Sequence, residues 1–181
     1  MFVQAHPDFE PKHWAATCLP LIKQGPQVAR TKARLVARLA EWGYRVVQEA
    51  DPHIVVDGVR IDPIHLNDTR LAFVLPAEGR EIALRSNVFV PAQTCAENVD
   101  ARELGLCIGR LQIDGGDIGL DNDETCAPGW YESEFVRGQF SHRWTTGATP
   151  INPRARIVML NLAGVGHYWS AQVGNGTALF A

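Results

Sequence analysis

The stretch FSHRWTTG, residues 140–147, shows the pattern that decides the fold. Its first six side chains alternate between two sets, Phe140, His142 and Trp144 in one and Ser141, Arg143 and Thr145 in the other. A period of two is typical of a β-strand, whose successive side chains point to opposite faces. His142 and Trp144 therefore share one face, and Arg143 lies on the other. Whichever face is exposed carries the candidate ligand contact, and the opposite face packs in the core.

Short apolar runs with the same period, separated by turn residues, follow one another from residue 45 onward. Residues 45–49 and 54–56 are predicted strands, and Asp57-Gly58 is a hairpin signal that leads into residues 59–61. We also expect residues 71–75 and 81–85 to form a pair of strands. These patterns predict an antiparallel β protein.

Two later runs add detail to the predicted sheets. Between residues 106 and 114, the apolar side chains change phase, and a bulge near Gly109 would reconcile the two halves of the strand. Residues 156–162 are almost continuously apolar, which predicts a central strand that is covered on both faces. The run Gly174-Asn175-Gly176 predicts a final turn near the end of the chain.

Helical periodicity is strong only between residues 25 and 45. One face carries Val28, Leu35, Leu39 and Trp42, and another face carries Arg30, Arg34 and Arg38. Pro26 suits the first turn of a helix, and Gly43 suits its end. We therefore predict one amphipathic helix of about four turns, with its arginines in solvent.

One early helix followed by many short strands predicts a mainly β fold. We expect an antiparallel, jelly-roll-like β-sandwich with one N-terminal amphipathic helix and a small hairpin cap. The helix and the hairpin form an N-terminal extension at residues 1–62, and the β-sandwich domain occupies residues 63–181. The two parts together are expected to form one compact unit.

Size and charge exclude several classes of protein. A chain of 181 residues suffices for one globular domain, and a formal charge of -3 does not favour nucleic acid as a partner. No apolar run reaches the roughly 18 residues that cross a bilayer, so no membrane insertion is expected. The first residues lack the features of a Sec signal peptide, so Sec export is not expected. A cytoplasmic protein, export without a cleaved N-terminal signal and a piece of a larger secreted chain all stay open as localisations.

Metal-binding residues show little pattern. The cysteines form no CxxC pair and the histidines have no zinc-site spacing, and Cys107 is expected to be a small buried residue. The oxygen-rich segment after residue 113 is a candidate calcium site, although it does not match the EF-hand loop. Its candidate ligands are Asp114, Asp117, Asp121 and Asp123. No other cofactor is expected.

Catalytic motifs are missing as well, since the chain has no GxSxG elbow, SxxK motif or phosphate-binding loop. A glycan-acting enzyme would need an acidic residue such as Glu132 or Glu134 near His142. Aromatic rings beside charged groups also bind sugars without catalysis. The candidate ligand-binding set is Trp130, Tyr131, Glu132, His142, Arg143 and Trp144.

Four short segments stand in order along the chain: Arg85-Ser86 with Pro91, Arg102 to Ile108 with Asp114-Gly115, Gly129 to Glu132, and Arg143 to Gly147. In this order they resemble a module near the C-terminus of bacterial Hint-domain (hedgehog/intein-type) proteins, which also occurs beside bacterial glycosyltransferases. The resemblance spans about residues 18–170. It implies a β-sandwich that serves as an interaction or carbohydrate-associated module and has no assigned catalytic residues. The autoprocessing Hint domain is not found in this sequence, so self-cleavage is not predicted.

These observations favour a non-catalytic module that binds a glycan or a protein surface. One alternative is a small glycan-acting hydrolase or lyase, in which an acidic residue works with His142. Another alternative is a structural or assembly protein that forms homo-oligomers through sheet faces or edge strands.

Overall fold

The computed structural model describes residue 22, residues 24–77, residue 79, and residues 81–122 and 128–171. Within these residues there are two helices and thirteen strands. The helices are α1 (Pro26–Glu41) and α2 (Pro91–Thr94). The strands are β1 (Tyr44–Val47), β2 (His53–Val56), β3 (Val59–Ile61), β4 (Ile64–His65), β5 (Arg70–Val74), β6 (Ile82–Arg85), β7 (Cys107–Ile113), β8 (Gly116–Ile118), β9 (Trp130–Val136), β10 (Gln139–Thr145), β11 (Ala148–Ile151), β12 (Ile157–Gly164) and β13 (Tyr168–Ala171).

The strands form two main sheets and one small one. The seven-stranded sheet has the order β4-β5-β12-β7-β10-β9, with β8 paired to β7, and the four-stranded sheet has the order β11-β6-β2-β3. Strands β1 and β13 form the third sheet. All of these pairings are antiparallel. The predicted mainly β, antiparallel, sandwich-like fold is therefore confirmed, and the sheets do not close into a barrel.

One hydrophobic core joins the two main sheets. Ile54 and Leu84 come from the four-stranded sheet, and they belong to the same buried cluster as Phe73, Ile108 and Leu160 of the seven-stranded sheet. In β5 and β12 the buried residues alternate with more exposed ones. Because side chains alternate between the two faces of a strand, each sheet places one face in this core.

Three local predictions are confirmed. Asn161 and Leu162 are consecutive residues of β12, and they pair with Arg110 and Ile108 of β7. Gly109 is therefore the extra residue of a β-bulge. Asp57 and Gly58 both have positive φ and connect β2 to β3 as a hairpin, the backbone form that Asp-Gly favours. Strand β12 lies between β5 and β7 and is central in its sheet, as its apolar run predicts. The predicted cover on both faces is wrong, because Val158 and Leu160 are buried on one face whereas Ile157 and Ala163 on the other face are exposed.

The predicted pair of strands at residues 71–75 and 81–85 is wrong. Strand β5 pairs with β4 and β12, whereas β6 pairs with β2 and β11, so these neighbours in sequence lie in different sheets. Both strands have the alternation of a half-buried strand. Two strands with this alternation can pair within one sheet, or they can lie in two sheets that pack face to face. The sequence therefore did not distinguish the two arrangements.

The N-terminal part of the described chain contributes directly to the sandwich. Strands β2 and β3, which the sequence assigned to the extension at residues 1–62, are two of the four strands of the second sheet. Helix α1 is confirmed, with Pro26 in its first turn and Gly43 in the left-handed conformation after its end. None of its residues is buried. Leu35 is 58% exposed, and Trp42, which directly follows the helix, is 63% exposed. Neither described helix is both long and apolar enough to span a membrane.

Candidate functional site

The two faces of β10 have different surroundings, and this difference answers the question that FSHRWTTG raises. Arg143 is only 3% exposed. Its guanidinium donates hydrogen bonds to the backbone oxygens of Tyr131, Leu120 and Asn122 and to Ser133 Oγ. Arg143 thus binds the chain itself and does not reach a ligand. The face with His142 and Trp144 is the one that opens toward solvent.

His142 and Trp144 line an open cleft of about 890 Å³. Strands β9 and β10 form one wall, to which β9 contributes Glu134. The opposite wall is the segment from Phe89 to Leu104, which includes α2. The ends of this segment are tied together, because Phe89 and Leu104 exchange two backbone hydrogen bonds of 2.9 and 2.8 Å. The cleft is therefore built from a sheet edge and a loop anchored to the fold at both ends.

Four charged or titratable side chains form a continuous chain in this cleft. The Arg102 guanidinium binds both carboxylate oxygens of Asp100, with a shortest distance of 2.7 Å. Arg102 Nη2 also lies 3.2 Å from Glu134 Oε1. The second oxygen of Glu134 lies 3.1 Å from His142 Nε2, and His142 Nδ1 lies 3.0 Å from Ser141 Oγ. The chain holds the Glu134 carboxyl group in one orientation between a guanidinium and an imidazole.

The ion pair between Asp100 and Arg102 keeps both side chains charged. The hydrogen bond from Arg102 lowers the pKa of Asp100, and the bond to Asp100 raises the pKa of Arg102 above its usual value. Asp100 therefore stays ionised at neutral pH and is unsuited to donate a proton as a general acid. Both side chains remain partly in solvent, with 27% of Asp100 and 39% of Arg102 exposed. Asp100 can accept hydrogen bonds from a ligand, and Arg102 can donate them.

Aromatic rings surround the charged chain. Trp144 meets His142 and Phe89 edge to face, with ring centroids 6.1 and 5.6 Å apart. Phe89 in turn meets Tyr168 at 5.2 Å, and the Tyr168 hydroxyl donates to the backbone oxygen of Gly105. Burial raises the pKa of Tyr168 to about 12, so its hydroxyl stays protonated at neutral pH. These contacts hold the indole of Trp144 in the wall of the cleft.

The structure divides the predicted ligand-binding set. His142 and Trp144 line the cleft, whereas Trp130 is half-buried against the core and Glu132 is exposed outside the cleft lining. Tyr131 contacts the charged chain through Arg102, because the centroid of its ring lies 5.2 Å from the Arg102 guanidinium carbon. Arg143 belongs to the interior, as described above.

Asp100 and Arg102 are the site residues that sequence reasoning missed. Arg102 opens one of the four segments that carry the resemblance, and this position was the signal that could have identified it. Asp100 lies before that segment and had no comparable signal. The two residues join the site because the loop after α2 folds back toward β9, which places Arg102 beside Glu134.

Several motif residues meet next to Leu104 and Trp144 of the cleft lining. The backbone N–H of Gly105 donates to Thr145 O, and Thr145 N–H donates to Leu106 O. Thr145 Oγ1 accepts a further bond from Leu106 N–H at 2.9 Å. Gly129 O accepts bonds from Thr146 N–H and Thr149 Oγ1. Two of the four ordered segments, those with Gly105 and Gly129, thus contact the segment from Arg143 to Gly147, which includes Trp144 of the cleft lining.

The predicted calcium ligands do not assemble among the described residues. Asp114 Oδ1 accepts the backbone N–H groups of Arg156 and Ile157, and Asp117 forms an ion pair with Arg110 at 2.7 Å. Asp121 is exposed, and Asp123 lies outside the described residues. In the part of the chain that the structure describes, no group of three or more histidine, cysteine, aspartate or glutamate residues could hold a metal ion. The described residues therefore offer no support for a calcium site.

The two described cysteines are free thiols with different surroundings, and they allow a direct test of the fold. Cys107 is buried, as predicted, and burial together with the charge of Glu134 raises the pKa of its thiol to about 12. About one Cys107 thiol in ten thousand is then ionised at pH 8, and only the thiolate reacts readily. Cys95 is exposed at the cleft.

We expect iodoacetamide at about pH 8 to alkylate Cys95 in the native protein and to leave Cys107 unmodified, as read by peptide mass spectrometry. In urea, where burial is lost, both residues should be alkylated. Equal modification of the two cysteines in the native protein would contradict the burial of Cys107 against the core.

Comparisons of the chain with protein-family models, with curated proteins and with solved structures gave no match. The resemblance to the Hint-associated module accordingly stays a prediction. The candidate functional site is the cleft, whose charged chain and aromatic wall are formed by Asp100, Arg102, Glu134, His142 and Trp144.

Proposed function

We propose that this protein is a non-catalytic glycan-binding module and that the cleft beside β10 is its binding site. The observation that carries this proposal is the position of Trp144 in the cleft wall, next to the chain of polar groups from Asp100 to His142. Sugars present apolar C–H faces and hydroxyl groups together. A site for them therefore combines an aromatic surface with fixed hydrogen-bonding groups.

The size and polarity of the cleft support the same function. Its volume of about 890 Å³ lies within the range of small-ligand sites. Glu134 is held by Arg102 and His142, so its carboxylate is oriented before any ligand arrives. A group that is already oriented loses little conformational entropy on binding, which favours affinity. The resemblance to a carbohydrate-associated module agrees with this proposal.

A glycan array repeated with Trp144→Ala tests the proposal. We expect the wild-type protein to bind a subset of the glycans and the variant to bind them about tenfold more weakly, because the aromatic wall is lost. Trp42→Ala is the matched control, since Trp42 is exposed on the surface after α1 and does not line the cleft. Glu134→Gln is a second test that keeps the aromatic wall, and it should also weaken binding. The function is contradicted if no glycan binds or if Trp144→Ala binds as well as the wild type.

A second candidate function is favoured by one specific contact. Glu134 and His142 approach each other within 3.1 Å inside the cleft, as the alternative of a glycan-acting hydrolase or lyase requires. A carboxylate and an imidazole in contact can share proton transfer with a substrate. If the glycans that bind are also cleaved, and if Glu134→Gln abolishes cleavage while the fold is retained, this alternative replaces the non-catalytic one.

A further inference from the structure

The acidic groups that line the cleft outnumber the basic ones. Among the described residues, three carboxyl groups and one guanidinium line it, namely those of Glu97, Asp100, Glu134 and Arg102. With His142 and His167 neutral, the lining has a formal charge of -2. The Arg102 guanidinium is already shared between Asp100 and Glu134. The lining therefore carries more negative charge than its own cation neutralises.

The shape of the cleft strengthens the effect of this charge. Glu134 and Asp100 are 38% and 27% exposed, so they are partly withdrawn from solvent screening. A cleft with walls of low dielectric constant concentrates the field of its charges at the position of a ligand. Trp144 and Phe89 add aromatic rings to the same walls, and such rings attract cations through the negative charge of their faces.

From these observations we propose that the cleft selects glycans that carry a protonated primary amine over neutral and carboxylated ones. This proposal rests on the proposed function and names the class of glycan for that site. Glu97, which is exposed at the edge of the cleft, has no ion-pair partner among the salt bridges that the described residues form. Its exposed carboxylate lines the cleft and meets the amine in this proposal. Asp100 and Glu134, which lie deeper in the cleft, add to its negative electrostatic potential.

A glycan array of matched probes tests this selection. The array holds tetrasaccharides of β-1,4-linked glucose, galactose and mannose, each with a hydroxyl, an amine or a carboxylate at C6. At about pH 7.5 and low salt, we expect the amine form of a bound backbone to bind about fivefold more tightly than its hydroxyl form. The carboxylate form should bind most weakly. The preference should shrink in 1 M salt, because salt screens exposed charges.

Glu97→Gln should reduce the preference for the amine by about two- to fivefold, the range of one exposed ion pair. Asp68→Asn is the control with the same change of charge, because Asp68 is exposed next to β4, at the opposite end of the sheet from β9. It should leave the preference unchanged. If hydroxyl and amine forms bind equally, or if the carboxylate form binds most tightly, the charge selection is wrong while the glycan-binding function stands. If no probe binds, both proposals are contradicted.

Discussion

Replacing Arg143 with methionine is expected to lower the free energy of unfolding by about 3 kcal/mol. Methionine keeps an unbranched apolar stem, so the expected loss arises from the guanidinium. That group bonds the backbone oxygens of Tyr131, Leu120 and Asn122. Without it, the buried oxygen of Leu120 and the partly buried oxygens of Tyr131 and Asn122 lose this donor. A buried polar group left without a partner costs about 1 to 3 kcal/mol.

Urea unfolding followed by circular dichroism measures this effect. The control is Arg110→Met on β7, whose guanidinium is exposed and pairs with the equally exposed Asp117. The control should leave the unfolding midpoint unchanged within error, because exposed ion pairs contribute little to stability. A loss below about 1 kcal/mol in Arg143→Met would show that Arg143 is not an organising group of the interior. In that case the assignment of the outward face of β10 would need revision.

The Gly105→Ala variant is expected to lose about 3 kcal/mol of stability, for a steric reason. A methyl group at Gly105 would lie 2.5 Å from Thr145 Oγ1 and 2.6 Å from the backbone nitrogen of Gly147. The second of these atoms belongs to the backbone and cannot rotate away. Gly105 is also bonded to Thr145 through its N–H, so the variant must either separate the two segments or strain both. Leu104 and Trp144, which line the cleft and precede Gly105 and Thr145 in sequence, would move with them.

Gly116→Ala is the matched control for this variant. A methyl group there would lie 3.4 Å from the nearest neighbouring atom, the backbone oxygen of Ile113, and the expected change is within about 0.5 kcal/mol. Thermal unfolding of both variants distinguishes steric crowding at Gly105 from a general effect of replacing a glycine with alanine. Equal stability of Gly105→Ala and the wild type would contradict the close contact of the two segments.

These two variants also separate the scaffold of the cleft from its surface. Arg143 and Gly105 are buried and do not line the cleft, whereas Trp144 and Glu134 do. A substitution at either buried position should change stability and binding together. Trp144→Ala and Glu134→Gln should instead affect binding more than stability, because both side chains are only half-buried.

Local sequence patterns determined a large part of the fold by themselves. Asp57-Gly58 specified a hairpin because its turn requires two residues with positive φ, which Asp and Gly adopt readily. Gly109 marked a bulge because the apolar residues on either side of it change phase. Pro26 and Gly43 bounded α1 for equally local reasons. Each of these features depends on neighbouring residues and on backbone sterics, and both can be seen in the sequence.

Tertiary structure decided the sheet partners other than the β2–β3 hairpin, and it decided how the site assembles. The alternation in FSHRWTTG fixed which residues share a face, but the packing of Leu120 and Tyr131 over Arg143 decided which face is buried. In the same way, β5 and β6 are neighbours in sequence yet joined different sheets. Arg102 met Glu134 across 32 positions of the chain. Alternation sets only the direction of a side chain, whereas these outcomes depend on contacts between distant segments, which form only when the whole core is packed.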